Sequence, residues 1–481
     1  MRFPTHKTKI VCTIGPACAD QRTLERMIRR GMNVARLNLA HGDPDSHAQA
    51  TRRLRAAAEK VGRRIAILAD LPGPKIRVGE LAQEPLELVR GQEIALTGRQ
   101  VLGDARRISV GLTDLDKAVR PGETIFLNDG FIRLKVERVE EGEAHCRVVV
   151  GGPLRAHKGV NLPGADLGVG AVTQDDLRLL EFALEQGVDA VSVSFVQGPE
   201  DVEMVRQAIV AQGHAPFVIA KIERALAVQR FRPILEAADG IMVARGDLGV
   251  ETPNEEIAIL QKRLIHQANL LGKPEITATQ MHESKTANTR PTRAEATDVA
   301  NAVLDGTDAV MLSEESAVGT YPVEAVDMLA RIARVAEAHG SGQPPRIVAP
   351  QKTRGRTTLA EAIAWDVAGA AERLHPRLIL TPTLSGNTAR RVARYRPDPW
   401  IVAFSPREAT CQQLMFSCGV FPVRVERDRR DWKTAAASWC RQQGIAEGLA
   451  VMTQGASPGS VDGTNSLEVF SLTRSEAYER R

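Results

Sequence analysis

Short apolar runs rich in β-branched residues recur along the chain, and stretches with the spacing of amphipathic helices separate them. Near-continuous apolar strands that alternate with helices are typical of a parallel sheet whose outer side is covered. Eight such runs predict an α/β fold built on a closed (β/α)8 barrel. The predicted strands span 10–14, 34–39, 65–69, 190–195, 217–222, 240–244, 275–278 and 309–312. The predicted helices span 24–32, 46–61, 175–186, 199–212, 256–271, 293–304 and 322–338.

The interval between the third and fourth predicted strands is much longer than one helix. From about residue 72 to residue 158 apolar and polar positions alternate with a period of two, and glycines separate the runs. This pattern predicts a small all-β domain inserted in a barrel loop, which could close as a cap over a site at the barrel's end. Its predicted strands are 93–97, 107–110, 123–127, 132–136 and 145–150.

A Gly- and Pro-containing stretch at residues 339–346 has the composition of a linker. Beyond it, apolar runs alternate with helical stretches and predict a separate C-terminal α/β domain. Its predicted elements are strands 378–380, 400–404, 421–425 and 449–452, with a helix at 359–374. We therefore predict a barrel at 1–71 and 158–340, a cap at 72–157 and a C-terminal domain at 341–481.

The composition excludes several classes of protein. The chain has 481 residues, 43% of them hydrophobic, which predicts more than one domain. A net charge of +4 is too small to favour a nucleic acid or membrane partner. The six cysteines form no C-x-x-C pair, so a structural zinc site is not expected and a reducing compartment is. No signal peptide or bilayer-spanning stretch is seen, so we expect a cytoplasmic protein.

Charged residues follow the predicted strands, and in a barrel of this type the active site lies at the carboxyl ends of the strands. Lys221 and Glu223 are two apart on strand five and share a face. Asp247 follows strand six, so it could share a cation with Glu223, and two carboxylates with open positions suit Mg²⁺. A structural lysine–carboxylate network is an equally open alternative. Gly246 would allow backbone amides to approach an anion.

Several segments in the right order resemble pyruvate kinases, and the resemblance covers essentially the whole chain. These segments read ARLNLAHG, KGVNLPG, AKIE, MVARGDLGV, ATQM, RPTRAEATDVANAVLDG and DGTNS. The resemblance implies Mg²⁺-dependent phosphoryl transfer from phosphoenolpyruvate to ADP, giving pyruvate and ATP, the last step of glycolysis. Mn²⁺ could replace Mg²⁺. It also implies a homotetramer and the same barrel, cap and C-terminal domain.

The resemblance implies a role for each matching residue. Lys221 and Arg36 would contact the transferring phosphoryl group, and Glu223 and Asp247 would hold the metal. The remaining matches are Gly246, Asp247 and Thr279 for the substrate carboxylate, and Asn38, Arg77 and Lys158 for the nucleotide. Thr279 lies near the proton route to the enolate in the family, and Ser313 and Glu315 could belong to that relay.

The sequence departs from the family where many members bind K⁺. Asn38 and Asp70 match, but Ala40 stands where a serine would supply an oxygen, and Lys75 replaces a glutamate. An ammonium group carries the same charge as K⁺ on a covalent tether. We therefore predict that K⁺ is not required because Lys75 supplies the charge; the alternative is an exposed loop lysine.

Two further departures lie near the predicted site. His282 stands where the family usually has leucine, and a structural histidine with satisfied hydrogen bonds is the favoured interpretation. Glu314 replaces a glycine and adds a charge there, which could tune catalysis or contact a neighbouring subunit.

The C-terminal domain contains a loop that could bind phosphate. Hydroxyls and amides at a helix start form such a cradle, although an ordinary N-cap explains the same residues. The resemblance favours a phosphorylated allosteric effector, either a sugar phosphate or AMP, and the loop at 455–463 would close over it. The cradle residues are Thr383, Ser385, Gly386, Asn387 and Thr388.

Two other functions remain as alternatives. One is a Mg²⁺-dependent pyruvate or oxaloacetate aldolase or lyase on a related barrel, which would need neither the cap nor Arg77 and Lys158. The other is a catalytically inactive sensor of phosphorylated metabolites, against which the intact set of predicted catalytic residues argues.

Overall fold

The computed structural model describes residues 3–128, 130–164, 170–340, 357–426, 431–455 and 463–473. Eight parallel strands close a barrel in which the first strand pairs with both the second and the eighth. The predicted fold class is thereby confirmed. The barrel strands are Lys9–Thr13, Val34–Asn38, Ala66–Asp70, Ala190–Val193, Phe217–Ile222, Gly240–Ala244, Glu275–Ala278 and Ala309–Leu312.

Helices cover the outside of the barrel, and their ends follow capping residues rather than the first apolar residue. Asp20 accepts a hydrogen bond from Thr23 N, so the first helix begins three residues before the predicted start. The α-helices are Gln21–Arg30, Pro44–Val61, Gln174–Glu185, Pro199–Ala211, Ala225–Gln229, Phe231–Ala237, Arg245–Glu251, Asn254–Leu271, Arg293–Asp305, Glu314–Ala317 and Pro322–Gly340. Short 3₁₀ helices span Pro16–Cys18 and Glu283–Thr286.

The fourth barrel strand is shorter than predicted. It ends at Val193 because Phe195 adopts a positive φ of 54°, which turns the chain out of the ladder. Ser194 and Phe195 therefore lie just beyond the strand, at the end where the site forms.

The predicted all-β insertion forms sheets with a separate hydrophobic core. A six-stranded sheet has the order Val160–Asn161, Thr124–Leu127, Ile132–Glu140, Glu143–Val150, Glu93–Thr97, Arg107–Ser109. The strands Leu86–Leu88 and Gly152–Leu154 form a second pair, and a short helix spans Leu115–Ala118.

The C-terminal part of the chain contains a five-stranded sheet. Its order is Val420–Arg424, Trp400–Ser405, Leu378–Pro382, Leu449–Gly455, Thr464–Ser471, and the last strand, which the sequence analysis missed, is antiparallel. The helices are Leu359–Leu374, Asn387–Ala393, Glu408–Gln413, the 3₁₀ turn Leu414–Phe416 and Trp432–Gln442. Most of the predicted linker lies outside the described residues. In the described parts of the chain, no helix is long and apolar enough to cross a membrane.

The C-terminal sheet docks against the amino-terminal end of the barrel. Phe416 stacks on Phe217 with ring centroids 5.8 Å apart, and both belong to the cluster that fills the barrel interior. Arg396 pairs with Asp308 at 3.0 Å. The C-terminal part of the chain therefore covers the amino-terminal end of the barrel, and the predicted site residues lie at the opposite, carboxyl-terminal end.

Candidate active site

Asp70, at the end of the third barrel strand, joins the two predicted cationic residues. Its carboxylate accepts hydrogen bonds from Arg36 Nε at 2.9 Å and from Ser192 Oγ at 2.6 Å. Lys221 Nζ lies 3.4 Å from the same group. Burial alone would raise the pKa of Asp70, but Lys221 and Arg36 outweigh it and hold the pKa below its usual value. Asp70 is therefore an anion that fixes both cations.

Lys221 is buried at the end of strand five. Its ammonium group donates to Ser194 Oγ at 2.7 Å and pairs with Glu223 at 2.9 Å. Burial lowers the pKa of Lys221, but Asp70 and Glu223 outweigh that effect and raise it above the usual value. The side chain is thus held as a cation with little exposure to water.

Glu223 and Asp247 have the properties of a two-carboxylate cation site. Burial raises the pKa of Glu223, and repulsion from Asp247 adds to it although Lys221 opposes it. Glu223 also accepts a hydrogen bond from Phe195 N at 2.7 Å. A divalent cation between the two carboxylates would remove their repulsion, so the residues fit Mg²⁺. Among the described residues no group of three or more His, Cys, Asp or Glu side chains is arranged to hold a metal, so other ligands would come from substrate and water.

Gly246 and Thr279 are in direct contact. Gly246 N donates to Thr279 Oγ1 at 2.7 Å. Thr279 and Gln280 adopt positive φ angles of 64° and 54°, which are uncommon for residues with a side chain. Arg245 donates to Thr279 O at 2.8 Å and stabilises this turn. The first residues of the helix Arg245–Glu251 and the Thr279 hydroxyl thus lie in direct contact.

Lys75 lies in the loop that leads from the barrel into the cap. Its ammonium group is 4.0 Å from Asp247 Oδ1. The side chain is 35% exposed. In this arrangement the Lys75 ammonium group lies beside Asp247, the second carboxylate of the candidate metal site, whereas the cations in contact with Asp70 are Arg36 and Lys221.

The predicted nucleotide residues fall in two places. Arg77 and Lys158 lie side by side where the chain enters and leaves the cap, since Val78 N donates to Lys158 O and Arg77 pairs with Gly159. Asn38 ends the second barrel strand opposite Asp70. No described hydrogen bond joins it to Arg77 or Lys158.

Glu315, after the eighth strand, is held by two backbone amides. Its carboxylate accepts from His282 N at 3.0 Å and from Ser313 N at 2.6 Å, and burial raises its pKa. His282 is fully buried, and burial lowers its pKa to about 4. Within the described part of the chain neither ring nitrogen has a hydrogen-bond partner, so the histidine is not satisfied as predicted. Glu314 is exposed.

The predicted effector loop follows the strand Leu378–Pro382. Thr383 Oγ1 accepts a hydrogen bond from Gly386 N at 2.9 Å, and Gly386 adopts a φ of 82°. Asn387 N donates to Ser385 Oγ at 3.4 Å. Thr388 Oγ1 lies 2.6 Å from Thr464 Oγ1. Most of the loop predicted to close over this turn lies outside the described residues.

Sequence reasoning missed three hydroxyls that orient the charged groups. Ser192 and Ser194 contact Asp70 and Lys221, and Thr13 Oγ1 accepts from Arg36 Nη1 at 2.9 Å. The available signal was the spacing of the two serines, which places them two apart at the end of strand four.

Comparison with known proteins shows the family. Residues 5–326 match the family model "Pyruvate kinase, barrel domain", and residues 361–470 match "Pyruvate kinase, alpha/beta domain". The chain belongs to the pyruvate kinase family. A pyruvate kinase of Thermococcus litoralis is 46% identical over 476 residues, covering 98% of this chain and all of the relative. One of Corynebacterium glutamicum is 42% identical, covering 97% of this chain and 98% of the relative.

A solved structure agrees with these matches. The crystal structure of a pyruvate kinase from Cryptosporidium parvum superimposes with a TM-score of 0.89 at 34% identity, covering 97% of this chain and 96% of the other. The chain is therefore an enzyme, a phosphotransferase with pyruvate kinase function, whose substrates are phosphoenolpyruvate and ADP. Neither alternative, the aldolase or lyase and the inactive sensor, finds support. Pyruvate kinases generally use Mg²⁺ and usually K⁺.

Proposed function

We propose that phosphoryl transfer takes place where Lys221, Glu223 and Asp247 converge, at the open end of the barrel. The observation that carries this proposal is the buried contact of Lys221 with Glu223 at 2.9 Å, together with the electrostatic effect of Asp247 on Glu223. Phosphoryl transfer is catalysed mainly by positioning and by positive charge placed around the transferring oxygens.

The cations have distinct tasks in this proposal. Lys221 and Arg36 stabilise the negative charge on the phosphoryl group as it leaves phosphoenolpyruvate. Asp70 keeps both in place before substrate arrives, so little reorganisation is needed during the reaction. Mg²⁺, or Mn²⁺, held by Glu223 and Asp247 would supply further positive charge to the phosphoryl oxygens.

The substrate carboxylate would bind beside the metal site. Backbone amides at the start of the helix Arg245–Glu251 and the hydroxyl of Thr279 are suitable donors for an anion. Gly246 brings the backbone close because it has no side chain. This arrangement would orient the carboxylate so that the phosphoryl group faces Lys221.

ADP would enter between the barrel and the cap. Arg77 and Lys158 lie together at the cap's base, where two cations can meet phosphates, and Asn38 lies at the end of strand two. The expected effect of Arg77→Gln is a higher KM for ADP with an unchanged KM for phosphoenolpyruvate in steady-state assays. A rise in both constants would contradict the assignment.

Lys75 takes over the charge of K⁺ in this proposal. Its ammonium group lies at the edge of the site, and K⁺ next to it would be repelled. We expect full activity in K⁺-free buffer with a bulky organic counter-cation. Lys75→Gln should lower that activity and make added K⁺ stimulatory, whereas strong K⁺ activation of the wild type would refute the idea.

The C-terminal loop from Thr383 to Thr388 would hold the phosphate of an allosteric effector in a homotetramer. Its hydroxyls and amides already face each other across one turn. Sugar phosphates and AMP are the effectors to compare, by measuring activation at low phosphoenolpyruvate for the wild type and Thr383→Val. Equal activation of both would exclude this loop, and light scattering would give the subunit number.

The experiment that tests the site is a coupled assay of pyruvate formation against Mg²⁺ concentration. Asp247→Asn should raise the Mg²⁺ concentration needed for half-maximal activity and lower kcat by about a hundredfold. The exposed Asp175→Asn is the matched control and should behave as the wild type. Unchanged Mg²⁺ dependence in Asp247→Asn would remove that residue from the metal site.

A further inference from the structure

A buried ion pair connects the two segments that carry the proposed metal ligands. Arg224, the residue after Glu223, lies with Nε 3.5 Å from the carboxylate of Glu251. The two side chains are 4% and 6% exposed. Glu251 ends the seven-residue helix Arg245–Glu251, whose first turn contains Asp247. Ala225 N also donates to Glu251, at 3.2 Å, so two groups next to Glu223 contact one carboxylate.

The same helix end meets the cap in two places. The backbone of Gly164, where the chain returns from the cap, lies close enough to Glu251 to stabilise its carboxylate. Gly130, at a turn of the cap sheet, faces Val250, and a methyl group there would lie 3.4 Å from Val250 Cγ2. Two contacts of the cap with this helix therefore fall on its last two residues, in addition to the contact of Lys75 with Asp247 in the first turn.

We propose that Glu251 is a positioning residue that sets the separation of Glu223 and Asp247 and links it to the placement of the cap. The carboxylate holds the segment after strand five through Arg224 and Ala225, the metal helix through its own backbone, and the cap's return through Gly164. This inference rests on the proposed function, because it assumes that the two acidic residues share a cation.

The ion pair of Arg224 and Glu251 can fix the orientation of its two side chains because both are buried. An unpaired charge at this depth is costly, so each partner holds the other in one geometry. A neutral glutamine at position 251 keeps the acceptor for the backbone amides but loses the charge that fixes Arg224. The expected result is a looser pair of carboxylates and a weaker metal site, as when groups that orient metal ligands are removed.

The test measures binding of Mn²⁺ alone by electron paramagnetic resonance, with thermal unfolding recorded on the same samples. The variants are Glu251→Gln, Arg224→Gln, the double variant and Asp247→Asn. Glu236→Gln is the matched control, since Glu236 pairs with Arg232 on the exposed outer surface. We expect about tenfold weaker Mn²⁺ binding in both single variants and in the double variant, and wild-type binding in Glu236→Gln.

The double variant distinguishes an effect on the position of the metal ligands from an effect on the stability of the fold. It removes both charges of this ion pair together, so its unfolding temperature should recover relative to the single variants while Mn²⁺ binding stays weak. Recovery of Mn²⁺ affinity along with stability in the double variant would overturn the inference, and so would wild-type Mn²⁺ affinity in Glu251→Gln. In either case, weaker Mn²⁺ binding in Asp247→Asn would still support the metal site. Wild-type affinity in Asp247→Asn would overturn the metal site itself, and the inference with it.

Discussion

Glu275 gives the most quantitative prediction about stability. It begins barrel strand seven, is fully buried, and receives hydrogen bonds from the hydroxyls of Thr277 and Thr307. Burial raises its pKa from 4.5 to about 8, and nearby Asp308 adds to the rise. The folded protein therefore keeps this proton up to about pH 8, whereas the unfolded chain releases it near its ordinary value.

The direction of the change in stability with pH follows from which state, folded or unfolded, binds the proton. Between the two pKa values the folded state holds more protons, so stability falls as pH rises through that window and levels off above about pH 8. The slope is about 1.4 kcal/mol per pH unit and decreases near the folded-state pKa, so the loss between about pH 6 and about pH 8 is about 2 kcal/mol. In Glu275→Gln the side chain can still hydrogen-bond to the hydroxyls of Thr277 and Thr307 but cannot ionise. The stability of this variant should therefore not fall with pH in this way.

The assay is thermal unfolding of the wild type and Glu275→Gln at several pH values between about pH 6 and about pH 9. The difference between the two proteins isolates Glu275, since other titrating groups such as Lys9 are common to both. We expect the variant's advantage to grow with pH up to about pH 8 and then stay constant. Parallel pH profiles for the two proteins would show that Glu275 does not hold a proton in the folded state at neutral pH.

Two further predictions concern hydroxyls at the site. Ser194→Ala removes the partner 2.7 Å from Lys221, so kcat should fall about tenfold with little change in unfolding temperature; an unchanged kcat would show that this contact does not orient Lys221. Thr279→Val removes the acceptor of the Gly246 amide, so kcat/KM for phosphoenolpyruvate should fall about tenfold. Thr279→Ser keeps the hydroxyl and should retain activity, and equal losses in both variants would contradict the role of the hydroxyl.

The barrel was predictable because its strands are buried on both faces. The four strands from Phe217–Ile222 to Ala309–Leu312 have the predicted bounds, since each apolar run stops at a charged residue or a turn. The edge strand Thr464–Ser471 was missed because much of it is partly exposed and its sequence lacks a clear apolar run. The helix starts at 199, 293, 322 and 359 were predicted correctly, whereas those predicted at 24, 46, 175 and 256 were one to three residues late, because polar residues of the first turn precede the apolar positions.

The charged part of the site was predictable, and its supporting groups were not. Lys221 and Glu223 stand out because charges at the end of an apolar strand are unusual. Ser194 is small and uncharged, so it does not stand out at the end of an apolar run. Its contact with Lys221 depends on where Phe195 turns the chain. The contact of Arg224 with Glu251 joins residues far apart in sequence, so it depends on the packing of neighbouring strands and their loops.

In the proposed mechanism the ammonium group of Lys221 stabilises the phosphoryl group during transfer. This role is tested by kcat for pyruvate formation from phosphoenolpyruvate and ADP in Lys221→Met, with the exposed Lys60→Met as control. We expect a loss of at least about a hundredfold in Lys221→Met and wild-type turnover in the control. Equal turnover of Lys221→Met and the wild type would exclude Lys221 from this role.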